Sequence, residues 1–315
     1  MKIFVSIASY NDPTLLKTIR YAIAAAHNPE SLVFGIGLQH YEEVDFSEFT
    51  DNDIKVIKYD PDTRPGITRI RYEISRLLTD EDFFVQVDSH YEFADDWDKI
   101  LIDNYDALVV QEGTDKIAIM PQSLIPQDDG SLWATTSSWD LEIFAANGGM
   151  YPAVHVIPRT DTVRDYPHIL EVNYSRVGQI FLPGSFIRNV GLDEYSHIAF
   201  ETAYFSYRVF ISGYRVFQLN EDIFWQHDGE YMIANPQFNI GNNENIANRF
   251  KSAAVQETSL TLYEMSLAFL YNKHSKYAVE PAVRTPEEFW TLNGSLEHFL
   301  SCRDLYDQFI HNNQI

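Results

Sequence analysis

Apolar positions follow two rhythms along this chain: short unbroken runs, and runs spaced three and four residues apart. Residues 2–8 are a buried-strand run, and Asn11-Asp12-Pro13 is a helix-start signal for Thr14 to Ala26, where Leu15, Ile19 and Ile23 share one helical face. Residues 32–38 and 54–58 give the next strands. A helix from Ile67 to Leu78 leads into the apolar strand Phe83 to Val87, another covers Trp97 to Leu108, and Ile117 to Met120 is a fifth strand. This alternation predicts an α/β fold with a mostly parallel sheet and helices on both faces.

Beyond residue 121 the rhythm breaks. Residues 121–176 mix Pro, Gly, Asp, Ser and Trp with short runs such as Glu142 to Phe144 and Val154 to Val156, which predicts long functional loops and a small antiparallel extension. Pattern returns at Gln179 to Leu182, in a helix from Ile198 to Ile211 and in a strand from Tyr214 to Gln218. The stretch 243–272 reads as largely helical, and Leu296 to Ile310 as a last helix.

Charge changes the picture more than length does. With 46 Asp and Glu against 23 Lys and Arg over 315 residues the formal charge is −23, which disfavours unspecific attraction to nucleic acid or anionic lipid. Cys302 is the only cysteine, so neither an internal disulfide framework nor a cysteine-rich zinc site is possible. The amino-terminal apolar stretch is too short for a signal peptide, and no segment nears the ~20 apolar residues of a spanning helix. The expectation is a cytoplasmic protein without a membrane partner.

Two clusters carry candidate chemistry. In Phe83 to Phe93 an apolar strand ends in Asp88, Ser89 and His90, and ligands of parallel α/β sheets sit at such carboxyl ends. Period-two alternation puts Asp88 and His90 on the same side, where a carboxylate and an imidazole can share Mn2+ or Mg2+. The same residues also suit a strand-ending turn, and the spacing alone leaves both open. Arg64, Arg69 and Arg71 crowd around Pro65-Gly66 at a helix start in an acidic chain. They suit a diphosphate clamp, or ordinary pairing with carboxylates such as Glu73 and Asp80.

The blocks IFVSIASYNDPTLLKTIRYAIAAAHNPESLVFGI, TRPGITRIRYEISRLL and EDFFVQVDSHYEFADDWD, followed at 181–229 by FLPGSFIRNVGLDEYSHIAFETAYFSYRVFISGYRVFQLNEDIFWQHDG, resemble in order and spacing the polypeptide GlcNAc-transferase family. That family is similar in its core to the mucin-type GalNAc-transferases. The resemblance implies a GT-A-like Rossmann-type mixed sheet, with a catalytic domain over 1–240, a nucleotide-binding half at 1–120, an acceptor half at 121–240, and a helical extension over 241–315. It implies a metal site of Asp88, His90 and the distant His227. It further implies a UDP-sugar donor held by Ser6, Ala8, Tyr10, Arg64, Arg69, Asp88 and Ser89, with Asp12 or Asp60 on the ribose. Gly184 is expected to bring backbone close to the donor sugar, and Glu201, followed by Thr202 where relatives place a second acid, to face sugar and acceptor. Arg69 and Glu201 are the expected catalytic pair. Ile67-Thr68-Arg69 departs from the family's small residues there, which leaves the phosphate ligand open. Trp133 and Trp139 are candidates for an acceptor platform.

The function implied is a metal-dependent glycosyltransferase that moves a sugar, with retention, from a UDP-GlcNAc-like donor to a hydroxyl on a protein or other macromolecule. A second acceptor is a hydroxymethylated pyrimidine of DNA, as in phage-encoded glycosyltransferases, docked by Arg159, Arg164, Arg176 and Arg188. Those four also suit ordinary surface pairing with Asp161, Asp165, Glu171 and Asp193, the reading preferred here. An inactive nucleotide-sugar or glycan-binding module is the rival from another class, and the presence of Asp88, His90 and His227 argues against it.

Overall fold

Residues 1–63, 65–126, 132–134, 137–146, 149–158, 168–172, 175, 177–194, 198–226, 268, 270–272, 278–292, 297, 300, 301, 303, 304 and 307 are described by the computed structural model, with backbone only for 122–158, 198–200, 203 and 226. The first half runs β1 (Ile3–Tyr10), α1 (Leu15–Ala25), β2 (Leu32–Gln39), β3 (Asp53–Lys58), α2 (Ile67–Ser75), β4 (Phe83–Asp88), β5 (Tyr91–Phe93), α3 (Trp97–Glu112) and β6 (Ile117–Pro126). The second half adds β7 (Leu132–Ala134), β8 (Ser137–Ala146), β9 (Gly149–Pro158), β10 (Ile169–Val172), β11 (Ile180–Pro183), α4 (Gly184–Asn189), α5 (Ile198–Ile211), β12 (Arg215–Gln226) and α6 (Pro286–Leu292). Of the stretches read as late helices, only scattered positions belong to the described residues, and Ala268, Leu270, Tyr271, Glu297 and Leu300 among them are helical.

One sheet organises the molecule, in the order β10-β12-β6-β11-β4-β1-β2-β3, with β5 beside β12 and β7 beside β6. The strands β3, β2, β1 and β4 are parallel, as the βα alternation requires. Beyond β4 the sheet is mixed, as the resemblance implies and the strand alternation alone does not, with β6 and β12 parallel to each other. There β11 enters between β4 and β6, antiparallel to both. All four residues of β11 are buried. A run buried on both faces carries no record of its direction, which the connection alone decides. Within the insert the expected small antiparallel extension is β8 and β9, which pair over ten residues each.

Both faces of the sheet are covered. Ile3, Val5, Ile7, Val85 and Val87 lie in one core with Leu15 and Ile19 of α1 and Trp97 and Leu101 of α3, while Phe4, Ala8 and Phe84 lie in another with Ile70 and Ile74 of α2 and Phe205 and Val209 of α5. In α3 the buried Trp97, Leu101, Tyr105 and Leu108 recur at helical spacing. Glycine sets how closely α2 approaches. A Cβ on Gly35 would stand 2.8 Å from Ile74 and one on Gly37 2.4 Å from Ile70, so two bare positions on β2 form the seat of this helix. This seating matters below, because α2 carries the arginines.

An ion pair between a half-buried lysine and a buried carboxylate fastens the far end of the sheet. Lys55 Nζ lies 2.9 Å from Glu81 Oε1, and the Thr79 amide donates to Glu81 Oε2 at 2.6 Å. Burial raises the Glu81 carboxyl, but Lys55 and the amides outweigh it and hold the group below its ordinary value. A depressed carboxylate stabilises the fold above its ordinary pKa, and that contribution fades as pH falls through the folded value. Glu81→Gln is therefore expected to cost about 1.5–3 kcal/mol in urea unfolding at neutral pH. The difference from the parent should shrink between neutral pH and an acid pH below the folded value, where the parent's carboxyl is also protonated. A cost that is the same at both pH values would contradict this account.

Candidate functional site

Parallel register brings the carboxyl ends of β1, β2 and β4 to one edge, with Ala8 opposite Asp88 and Tyr10 opposite Gln39. Along β4, Phe84, Gln86 and Asp88 alternate toward the α2 face. The last of these meets a buried cation. Arg71 Nη2 lies 2.8 Å from Asp88 Oδ1, and Arg71 Nη1 lies 2.7 Å from Glu201 Oε2. The side chains of Arg71 and Glu201 are 9% and 7% exposed. Arg71 thus ties the strand end to α5, across a cleft also lined by Thr68, Leu192, Asp193 and Phe205.

Two groups in this cleft depart from their behaviour in water, Arg71 and Glu201. Burial works against the Arg71 cation, but Glu201 and Asp88 overcome it and raise its pKa. Burial pushes the Glu201 carboxyl up, and Asp88 and Asp193 add to that while Arg71 opposes it. Glu201 Oε1 and Arg71 Nε are buried with no hydrogen-bond partner among the described residues. Such atoms are costly in a finished core and are expected where a ligand completes the site.

The resemblance implies Arg69 at the phosphates, and the sequence leaves Arg69 and Arg71 alike the alternative of pairing with surface carboxylates. The structure brings Arg71 to Asp88, whereas Arg69, on the outer side of α2, pairs with Glu73 at 2.7 Å and Glu194 at 3.1 Å. Arg64 lies outside the described residues.

The second half of the site is built on Asp12, read from sequence as a helix-start residue and a ribose candidate. Asp12 is 1% exposed, and its carboxylate is occupied within the protein, which removes it from the ribose. Oδ1 accepts from the Thr14 amide at 2.9 Å and hydroxyl at 2.7 Å, and Oδ2 from Ser89 Oγ at 2.5 Å and His90 Nδ1 at 2.9 Å. Burial raises this carboxyl, but the bonds from His90, Ser89 and Thr14 together hold it below the ordinary value, so it is ionised at neutral pH. Ser89, expected on the donor, is 3% exposed and spends its hydroxyl on Asp12.

The side chains of Asp88 and His90 therefore meet different partners, Arg71 for one and Asp12 for the other. Beyond His90 the ladder of β5 with β12 pairs Phe93 with Phe224, Glu92 with Trp225 and Tyr91 with Gln226. Gln226 is followed by His227, which lies outside the described residues. Among the described residues no three His, Cys, Asp or Glu side chains form a metal cluster. The donor chemistry of Asp88 and His90, one carboxylate and one imidazole on consecutive alternate positions, nonetheless fits a divalent ion of the Mn2+ type.

The expected nucleoside side lies beside this. Ser6 is fully buried in the middle of β1 and Ala8 nearly so, which sets both behind the surface, while Tyr10 ends the strand partly exposed. Asn11 follows with φ 45, a left-handed turn that asparagine tolerates. His40 Nε2 accepts from Ser9 Oγ at 2.8 Å and faces the Asp12 amide at 3.3 Å. Burial holds this imidazole below its ordinary pKa, against the pull of Asp12, so it is neutral. Tyr41 donates to Asp62 at 2.9 Å, and hydrogen bonding to Asp62 and then Tyr10 pushes its hydroxyl up to about 12. Asp60 caps its own turn by accepting the Asp62 amide.

Two expected residues sit elsewhere. Gly184 follows Pro183, which pairs with Phe83 at the amino end of β4, some 15–20 Å along the strand from Asp88. A Cβ there would stand 2.2 Å from the Glu81 carbonyl, so contact with that backbone accounts for the glycine. Arg188 donates to the Glu81 carbonyl at 3.0 Å at the same end. Arg159, Arg164, Arg176 and the side chains of Trp133 and Trp139 lie outside the described residues.

A family model described as Glycosyltransferase (GlcNAc) matches residues 2–48 and 42–239. Among solved structures, the crystal structure of GalNAc-T7 with UDP, GalNAc and Mn2+ is similar at a TM-score of 0.51 and 15% identity, over 72% of this chain and 44% of that one. The chain therefore spans less than half the length of that neighbour, and the likeness shows the GT-A fold. S. aureus TarS 1-349 in complex with UDP is similar at a TM-score of 0.49 and 11% identity, over 95% of this chain and 71% of that one. A search of curated protein sequences gave no match.

Proposed function

The chain belongs to the GlcNAc glycosyltransferase family, and we propose that it transfers a sugar, with retention, from a UDP-GlcNAc-like donor to a hydroxyl of a protein or other macromolecule. One observation carries the reading: Arg71 is buried between Asp88 at the end of β4 and Glu201 on α5, so the donor edge and the acceptor half share one charge cluster. The catalytic domain of this proposal is 1–240, and 241–315 is its extension.

Asp88, His90 and His227 would hold a divalent cation. His227 is included because the β5–β12 ladder ends with Gln226 opposite Tyr91, one residue after His90. A cation there would supply positive charge for the departing diphosphate. Arg71 keeps the Asp88 carboxylate oriented and balances Glu201 in a site from which water is largely excluded. Tyr10, at the end of β1, and Tyr41, two residues past β2, face the nucleoside. Glu201, with its buried oxygen, receives a hydroxyl of the sugar or acceptor. An acceptor attacking on the face that the UDP leaves needs positioning more than a strong base.

Glu201→Gln keeps the shape and removes the charge. It is expected to cut transfer about tenfold or more while UDP affinity changes less than threefold. Equal transfer by mutant and parent would return Glu201 to a structural role.

The function itself is tested by UDP release from a panel of UDP-sugars with Mn2+, with peptides and glycans as acceptors. A parallel arm uses duplex DNA containing hydroxymethylcytosine, digested to nucleosides for mass analysis. Donor-dependent UDP release with a sugar-sized mass gain on peptide or glycan supports the proposal. The same gain on the modified base would move the acceptor to DNA, and no turnover of any donor would sink the enzyme reading.

A further inference from the structure

Nothing in the reading above uses the Asp12 carboxylate, yet it is among the most completely satisfied side chains near the site. It takes four hydrogen bonds, two of them on Oδ2 from the consecutive residues Ser89 and His90. The backbone around those residues is tied to the same turn. The Ser89 carbonyl accepts from Thr18 Oγ1 at 2.8 Å and lies 3.0 Å from Thr14 Oγ1, and the Tyr91 amide donates to Thr18 Oγ1 at 3.0 Å. The segment 89–91 is thereby sewn to the first turns of α1 at both backbone and side chain.

We propose that Asp12 is a positioning residue that fixes the His90 imidazole in one tautomer and one orientation, so that Nε2 is the nitrogen offered to a divalent cation. This rests on the reading of His90 as a metal ligand. A carboxylate can only accept, so the 2.9 Å contact requires the ring proton on Nδ1. A ring so held presents Nε2 away from Asp12. Carboxylates behind metal-binding histidines raise ligand basicity and remove the entropy of ring rotation, and losing one weakens metal binding about ten- to a hundredfold.

Asp12 also joins two parts of the site mechanically. Its amide faces His40, whose other contact is Ser9, and it follows Asn11 in the turn after Tyr10. The turn expected to hold the nucleoside and the side chain expected to hold the cation are therefore one hydrogen-bonded unit. Ordering one should order the other.

The test needs a readout of the ring as well as of the metal. In alkaline buffer without metal, nitrogen-resolved NMR of the histidine rings, with His90→Gln to assign the signal, should show His90 as the Nδ1–H tautomer. An Nε2–H tautomer overturns the proposal, even if Asp12→Asn fails to fold. Mn2+ binding by electron paramagnetic resonance in the presence of UDP should weaken ten- to a hundredfold in Asp12→Asn. Ser89→Ala, which spares the Asp12–His90 contact, should shift it less than threefold. Parental Mn2+ affinity in a folded Asp12→Asn protein also overturns the proposal. Failure of the metal reading is seen separately, as Mn2+ affinity that His90→Gln leaves unchanged.

Discussion

Replacing Arg71 with methionine is expected to remove about 3–5 kcal/mol of folding stability, the usual cost of stripping one partner from a buried ion pair. The reason lies in what remains. Asp88 Oδ1 and Glu201 Oε2, at 2.8 Å and 2.7 Å from the guanidinium, would be left facing a cleft that already holds the buried carboxylate of Asp193. Methionine fills most of the volume, so the loss reports charge rather than a cavity. Adding Glu201→Gln to Arg71→Met should recover more than 1 kcal/mol, because one of the two stranded charges is then gone. Urea unfolding of the four proteins in this cycle measures it. Additive effects would show that Arg71 and Glu201 do not interact. Arg71→Lys should not rescue fully, since a single ammonium cannot reproduce the two-armed contact.

The position of Arg71 is legible in the helical period, which the expected clamp on Arg69 did not use. Ile67, Ile74 and Leu78 mark an apolar stripe, and Arg71 stands on it, four residues after Ile67 and three before Ile74. A cation on an apolar stripe is expected to find a buried carboxylate, whereas Arg69 lies off the stripe and meets Glu73 one turn on. The strands, helices and faces of the first 120 residues could be read for the same reason: runs and periods encode burial. Direction is not encoded, so the antiparallel entry of β11 could not be read from Gln179 to Leu182. Nor could the role of Asp12. A helix-start carboxylate looks the same whether it serves its own helix or residues 77 and 78 positions away. Only the fold brings Ser89 and His90 to it.

Glycosyl transfer is expected to fall at least hundredfold in excess chelator and to return with Mn2+. The cluster of Arg71, Asp88 and Glu201 sets one guanidinium against two carboxyl groups, so before any donor arrives it has no positive charge to spare. A UDP-sugar adds the negative charge of its diphosphate to the same edge. Without a cation that edge repels its own substrate, and the departing UDP has no counter-charge. Stabilising a leaving group of this kind is worth several kcal/mol, and about 2.7 kcal/mol already amounts to a hundredfold in rate. Asp88→Asn should show the same loss without chelator, and calorimetry should show that Mn2+ no longer strengthens its UDP binding. Because this substitution also takes a charged partner from Arg71, the mutant must be compared at a temperature where circular dichroism shows it folded. Parental turnover in excess chelator, or a Mn2+-dependent gain in UDP affinity that survives in Asp88→Asn, would detach the strand end of β4 from the metal. In that case the positive charge for the diphosphate would have to come from protein cations, and the pairing of Arg71 with Asp88 and Glu201 would have to open for it.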